Sequence, residues 1–423
     1  MQSHAQFAGR WRQGCLVTLL LCLITNAAQA REHDSGPQPT MRIPVEQLGY
    51  RPPGKLYILA RYTSSSLDFL DATHLLLTFR QPRLLLRQEG SDGLDQVIHA
   101  DVLELPSGKI VAEEQWLLHD RGRYLWRLTN DKVMLRIGSS LYETDSKLHL
   151  KPLFSSPTEL EAVETSPDGK LLVVQNELEK HTAEEHEELV KKAAQSGSTP
   201  PSEDVQIRMM RLDQPKLMLS AHADAAGDLP ATIDGFFTQE RLKDKDKDDV
   251  WNVRFHPYEK PEPTGGDIIA QIASACEPSE KVLNQQSVLV LSCRPGHDDR
   301  FVAAYSLKSQ KLWDGRWQSN FTWPAFRMAQ DGASVAISWL AVSHAVSAKD
   351  PINDNEVQNQ VLSVLDSRTG SLRIALLLKP IVSAGGNFAL SADGNRLAVL
   401  NHGEIEVYDL PPPAPPPTER ASK

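Results

Sequence analysis

With 423 residues, of which 40% are apolar, 24% charged and 6% aromatic, the chain has the composition of a folded protein, which excludes fibrous, disordered and multi-spanning membrane classes. Its formal net charge of −10 argues against a phosphate-binding surface, so no nucleic acid partner is expected.

Residues 1–30 read as a secretory signal peptide. Arg10 and Arg12 precede the apolar run Cys15 to Ile24, and Ala28-Gln29-Ala30 forms an A-x-A cleavage site. The run is too short to span a bilayer, and the leucines before Cys22 do not suit lipidation. No membrane span is expected, and the protein is expected to be exported, to a periplasm or beyond. Because the signal carries basic residues and no acidic ones, its removal leaves a more acidic chain. Two of the four cysteines leave with it, and the remaining pair, Cys276 and Cys293, reads as a disulfide.

Residues 31–42 are expected to be a flexible lead-in to a domain spanning 43–411. Helical periodicity is nearly absent there, while short apolar runs bounded by Gly, Pro, Asp and Ser recur, which is an all-β pattern. The unit Glu164-Thr165-Ser166-Pro167-Asp168-Gly169-Lys170-Leu171-Leu172-Val173-Val174 is echoed by Ala389 to Val399, and more loosely by Arg327 to Ile337. In each, a strand ends in an Asp-Gly turn, whose glycine readily supplies positive φ, and a more apolar strand follows. Outer strand pairs follow the same scheme, as in Val361 to Asp366, Thr369-Gly370 and Leu372 to Ala375. Through these S-P-D-G-K and D-x-x-T-G motifs the sequence resembles secreted bacterial YVTN-type and WD-repeat-like β-propellers. The resemblance implies an all-β, seven-bladed propeller and says little about activity.

Blade starts fall near Leu67, Tyr124, Ala162, Leu229, Lys281, Phe326 and Phe388. The last blade lacks a fourth strand before the proline run that begins at Pro411, and a segment between Ile43 and Arg61 is expected to supply it and close the ring. Residues 412–423 read as a solvated Pro-rich tail.

Lettering the strands of a blade a to d from the channel outward, the long insertions all connect b to c: Gln81 to Val97, Asn176 to Asp204, Lys243 to Asp249, Arg294 to Asp299 and His344 to Gln360. They share a face with the d to a connections, and loops on a rigid scaffold commonly carry function. In the insertion 176–204, Thr182-Ala183-Glu184-Glu185 is a capping box opening one polar surface helix, expected to be dispensable for folding.

No catalytic motif emerges. His186-Glu187-Glu188-Leu189-Val190 puts Val where a zinc protease needs its second His, and Asp244, Asp246 and Asp248 are interleaved with lysines unlike a calcium loop. His99, His119, His222, His297, His344 and His402 all map to the elaborated face, yet they are spread around the ring, so no metal and no cofactor is expected. The candidate binding residues are His119, Asp120, Tyr124, Trp126, His297, Asp298 and Trp323, taken as one rim at the channel mouth. The expected function is non-catalytic binding of a protein, peptide or glycan through this face. The alternative is a propeller enzyme of hydrolase or lactonase type, with its site at the channel mouth.

Overall fold

The computed structural model describes residues 36–51, 65–80, 96–118, 123–178, 205–223, 225–242, 250–259, 265–293, 300–317, 324–342, 357–381 and 386–413, together with single residues between 184 and 195. The chain divides into a unit of residues 1–38 and one of 39–423. The second unit is a seven-bladed β-propeller of seven antiparallel sheets.

The blades occupy 65–118, 125–155, 160–223, 235–273, 279–317, 325–378 and 388–409, and the strand Met41–Pro44 completes the seventh. Closure therefore comes from chain just ahead of the expected stretch, overlapping it only at Ile43 and Pro44. Met41 pairs with Val407 and Pro44 with Glu404. Blade 4 has three regular strands. Its innermost position is reduced to the single bridge Ala231–Phe236, where Pro230 has no N–H to offer a ladder.

Period-two alternation explains how the sheets become a ring. In blade 1, Leu75 and Leu77 face the cluster shared with blade 7, while Leu76 faces the one shared with blade 2. In blade 3, Leu171 and Val173 face blade 4, and Leu172 and Val174 face blade 2. The strand Leu171–Glu177 is accordingly buried along its whole length, because both of its faces are covered. Seven such clusters, each drawn from two adjacent blades, form the core.

The Asp-Gly turns also lock neighbouring blades. At Gly169 (φ +69°) a Cβ would lie 2.7 Å from the backbone carbon of Leu128 in the preceding blade. A side chain here is excluded by both conformation and space. Ser166 Oγ donates to Asp168 Oδ1 at 2.6 Å, and Ser391 to Asp393 repeats this geometry in blade 7.

Trp313, on the outer strand Lys311–Trp317, packs on the next blade: its Nε1 donates to the Ser367 carbonyl at 2.7 Å and its ring abuts Gly370. The insertion 176–204 lies mostly outside the described residues, and the expected surface helix is not among the described elements. Glu187 pairs with Lys191 and Glu188 with Lys192 there. Among the described residues, no helix is long and apolar enough to cross a membrane.

Cys276 and Cys293 form the expected disulfide, with Cα atoms 5.4 Å apart. It fastens the connection between blades 4 and 5 to the end of the strand Ser287–Cys293, where Ala275 N also donates to the Cys293 carbonyl. Thiol titration of the unfolded, unreduced protein lacking residues 1–30, and with them Cys15 and Cys22, is expected to find no free thiol. Replacing both cysteines by serine is expected to cost about 3 kcal/mol for this closed loop of 17 residues. Two titratable thiols in protein made in an oxidising compartment would contradict the bridge.

Candidate functional site

The innermost strands Ser65–Phe69, Leu125–Arg127, Leu160–Thr165, Ser279–Asn284, Ala325–Met328 and Phe388–Leu390, with Pro230 and Ala231, surround a central channel. Under the short a to b turns, the channel is bridged from wall to wall. Gln330 Nε2 of blade 6 reaches across to the carbonyls of Leu128 (2.8 Å) and Asp168 (3.2 Å) in blades 2 and 3. Gln285 Nε2 donates to Asp168 Oδ2 at 2.7 Å. Arg127 of blade 2 donates to the carbonyls of Leu390 (3.1 Å) in blade 7 and Leu70 (3.4 Å) in blade 1.

Above this floor lie two adjoining cavities of about 290 and 110 Å³, sharing Arg123, Phe326 and Met328 as walls. The smaller is also lined by Asp68, Arg127 and Arg327, and the larger by Glu164 and Lys281. Arg123 enters from the d to a connection of blade 2, on the elaborated face. Its guanidinium lies over the Trp126 ring at 5.4 Å, and its Nε donates to the Leu125 carbonyl at 2.9 Å. Arg123 remains exposed to solvent, while the surrounding channel walls, and then the neighbouring Arg327, lower its pKa against the pull of Asp68 and Glu164. The buried Nε atoms of Arg127 and Arg327 have no hydrogen-bond partner.

On the opposite wall Lys281 Nζ donates to Asp228 Oδ2 at 2.8 Å. Burial first, then repulsion by Asp228 and a hydrogen bond that the protonated carboxyl donates to Asp228, push Glu164 up to about 7, while Lys281 and Arg123 pull it down. The two cavities thus bring Arg123, Arg127, Arg327 and Lys281 together with Asp68 and Glu164.

Of the residues expected at the rim, Tyr124 and Trp126 are 6% and 2% exposed, and both belong to the packing between blades. The Tyr124 hydroxyl shares a 2.6 Å hydrogen bond with Thr78. Neither ring faces solvent, because equivalent positions of an inner strand are needed to fill the gap to the neighbouring blade. His119, Asp120, His297, Asp298 and Trp323 lie outside the described residues.

The channel residues did carry a sequence signal. Arg127, Glu164, Arg327 and Ala389 each stand four places before the turn Asp131, Asp168, Asp331 or Asp393. Superposing the repeats would have brought them to one inward position, where charged residues are unexpected unless the channel is polar.

No protein-family model and no curated protein matches the chain. Among solved structures it is similar to one described as the eukaryotic initiation factor, with 8% identity over 80% of this chain and 73% of that one, at a TM-score of 0.37. It is also similar to Pyrococcus horikoshii acylaminoacyl peptidase, with 8% identity over 84% and 52%, at 0.48. An acylaminoacyl peptidase in complex with Z-Gly-Gly-Phe-chloromethyl ketone gives 9% identity over 85% and 52%, at 0.49. The chain spans about half the length of these two peptidases. At such identities no residue role is transferred from them.

Proposed function

We propose that the protein is an exported, non-catalytic propeller that binds a protein, peptide or glycan by drawing an acidic group of the ligand into the channel from the elaborated face. The supporting observation is the convergence of Arg123, Arg127 and Arg327 on adjoining cavities, with the buried Nε donors of two of them unpartnered. Guanidinium groups match carboxylates with paired, charge-assisted hydrogen bonds, and a walled channel screens such bonds less than open surface does. His119, Asp120, His297, Asp298 and Trp323, in loops of the same face, are proposed to contact the remainder of the ligand.

The test is selection from libraries of peptides with free C-termini and of uronic-acid glycans, followed by affinity measurement. Selected ligands are expected to carry an acidic group, and Arg327→Gln is expected to weaken them by about 10- to 100-fold, as for loss of a hydrogen bond to a charged group. Ligands lacking acidic groups, or binding unchanged in Arg327→Gln, would refute the reading. The second reading, an enzyme of hydrolase or lactonase type, draws on the Glu164–Asp228 pair, since a carboxyl held near 7 suits general acid–base work. Turnover of ester or lactone substrates that disappears in Glu164→Gln would establish it instead.

A further inference from the structure

A second polar cluster lies away from the channel, on the outer half of blade 1. His99 and Asp101 sit two apart on the strand Gln96–Glu104 and so share one face, and Asp101 is the register partner of Glu113 on the outermost strand Lys109–Leu118. His99 Nε2 lies 3.0 Å from Asp101 Oδ1 and 3.5 Å from Glu113 Oε1. One ligand atom from each of the three falls within 4.8 Å of the others.

Burial makes the arrangement unusual. Asp101 is completely buried; its Oδ1 faces His99 Nε2 at 3.0 Å, and its Oδ2 has no partner. Buried carboxylates are ordinarily satisfied by donors, by a paired cation or by a metal. The Phe79 ring, 5.1 Å from the imidazole, holds His99 at 5% exposure with Nε2 directed at the two acids. Glu113, with a 59% exposed side chain, leaves an approach from solvent.

We propose that His99 Nε2, Asp101 and Glu113 bind one divalent transition-metal ion of the zinc type, which clasps the third strand of blade 1 to its outermost strand. One imidazole and two carboxylates are a ligand set for such an ion. Metal–ligand bonds of about 2.0–2.1 Å in a tetrahedron place neighbouring ligand atoms about 3.4 Å apart, close to the two distances from Nε2. A dication balances the two carboxylates and gives the otherwise unpartnered Oδ2 of Asp101 a counter-charge. Water, arriving past Glu113, completes the coordination.

The full chain, stripped with chelator, is dialysed against micromolar Zn²⁺ and its metal counted by mass spectrometry, with thermal melts alongside. One bound equivalent and a raised melting temperature are expected. Glu113→Gln, an exposed substitution that leaves the fold intact, is expected to weaken binding about tenfold or more, and Asp101→Asn to abolish it. Less than a tenth of an equivalent bound by the unmodified chain, or affinity unchanged in Glu113→Gln, would overturn the proposal. So would displacement of the zinc by equimolar Ca²⁺, which would mark a site governed by oxygen ligands alone.

Discussion

Ile43→Asp is expected to destabilise the ring by about 3–5 kcal/mol or more, seen as a lowered urea midpoint and a loss of cooperativity. Ile43 is 5% exposed and packs in the cluster shared by blades 1 and 7, close enough to Gly108 that a Cβ there would meet its Cγ2 at 2.8 Å. The strand that carries it covers the outer edge of Glu404–Asp409, with further bonds from Thr40 N to the Val407 carbonyl and from Val45 N to the Gly403 carbonyl. Arg42 adds an ion pair of 2.8 Å to Glu406, a carboxylate only 2% exposed that also accepts from Asn401 and Tyr408. A charge at position 43 expels this strand, leaving an open sheet edge and stripping Glu406 of its cation. A midpoint change equivalent to less than about 1 kcal/mol would mean that the ring closes without the strand.

Glu280→Gln is expected to stabilise the protein at alkaline pH and to have little effect in acid. Glu280, on the inner strand of blade 5, is 2% exposed, and its Oε1 has no partner. Burial, with smaller contributions from Asp228 and Glu277, pushes its carboxyl from 4.5 up to about 8, against its own backbone N–H and Lys281. Because the folded value lies above the unfolded one, the native state keeps a proton that the unfolded chain has already released. Stability from this group is therefore complete below about pH 4.5 and is lost progressively as pH rises through about 8. The full difference is on the order of 5 kcal/mol, and glutamine, neutral throughout, escapes it. The gap between the two melting temperatures should widen steadily from pH 5 to pH 8.5. Glu164, raised to about 7, titrates in the same direction in both proteins, so the gap isolates Glu280. Equal melting temperatures at pH 8.5 would show that Glu280 is ionised at little cost in the native state.

How much of this was legible before folding depends on the range of the physics. The repeat units, the disulfide and the closing segment could be read from the chain because each rests on short-range chemistry. An Asp-Gly turn needs positive φ, an alternating strand needs two covered faces, and two cysteines left after residues 1–30 are set aside have one partner choice. The placement of the five long insertions between second and third strands follows from counting strands, and the observed sheets preserve that count in four blades and, with the bridge at Ala231 standing for the innermost strand, in blade 4. Tyr124 and Trp126 show the limit. Their position near the start of an inner strand was clear, but only the spacing of blades decides that the rings fill an interblade gap and leave the mouth to Arg123. Glu164, Asp228 and Lys281, or Arg123 and Arg327, come from different blades and meet only because the sheets are wound about one axis. Nothing local to Asp101 announces that its carboxylate is buried beside His99 and Glu113, since that depends on the cross-strand register and on the Phe79 ring. Turns and strand faces are set within a few residues and so belong to the sequence; charge convergence and desolvation are set by distances between elements far apart in the chain and so belong to the tertiary structure.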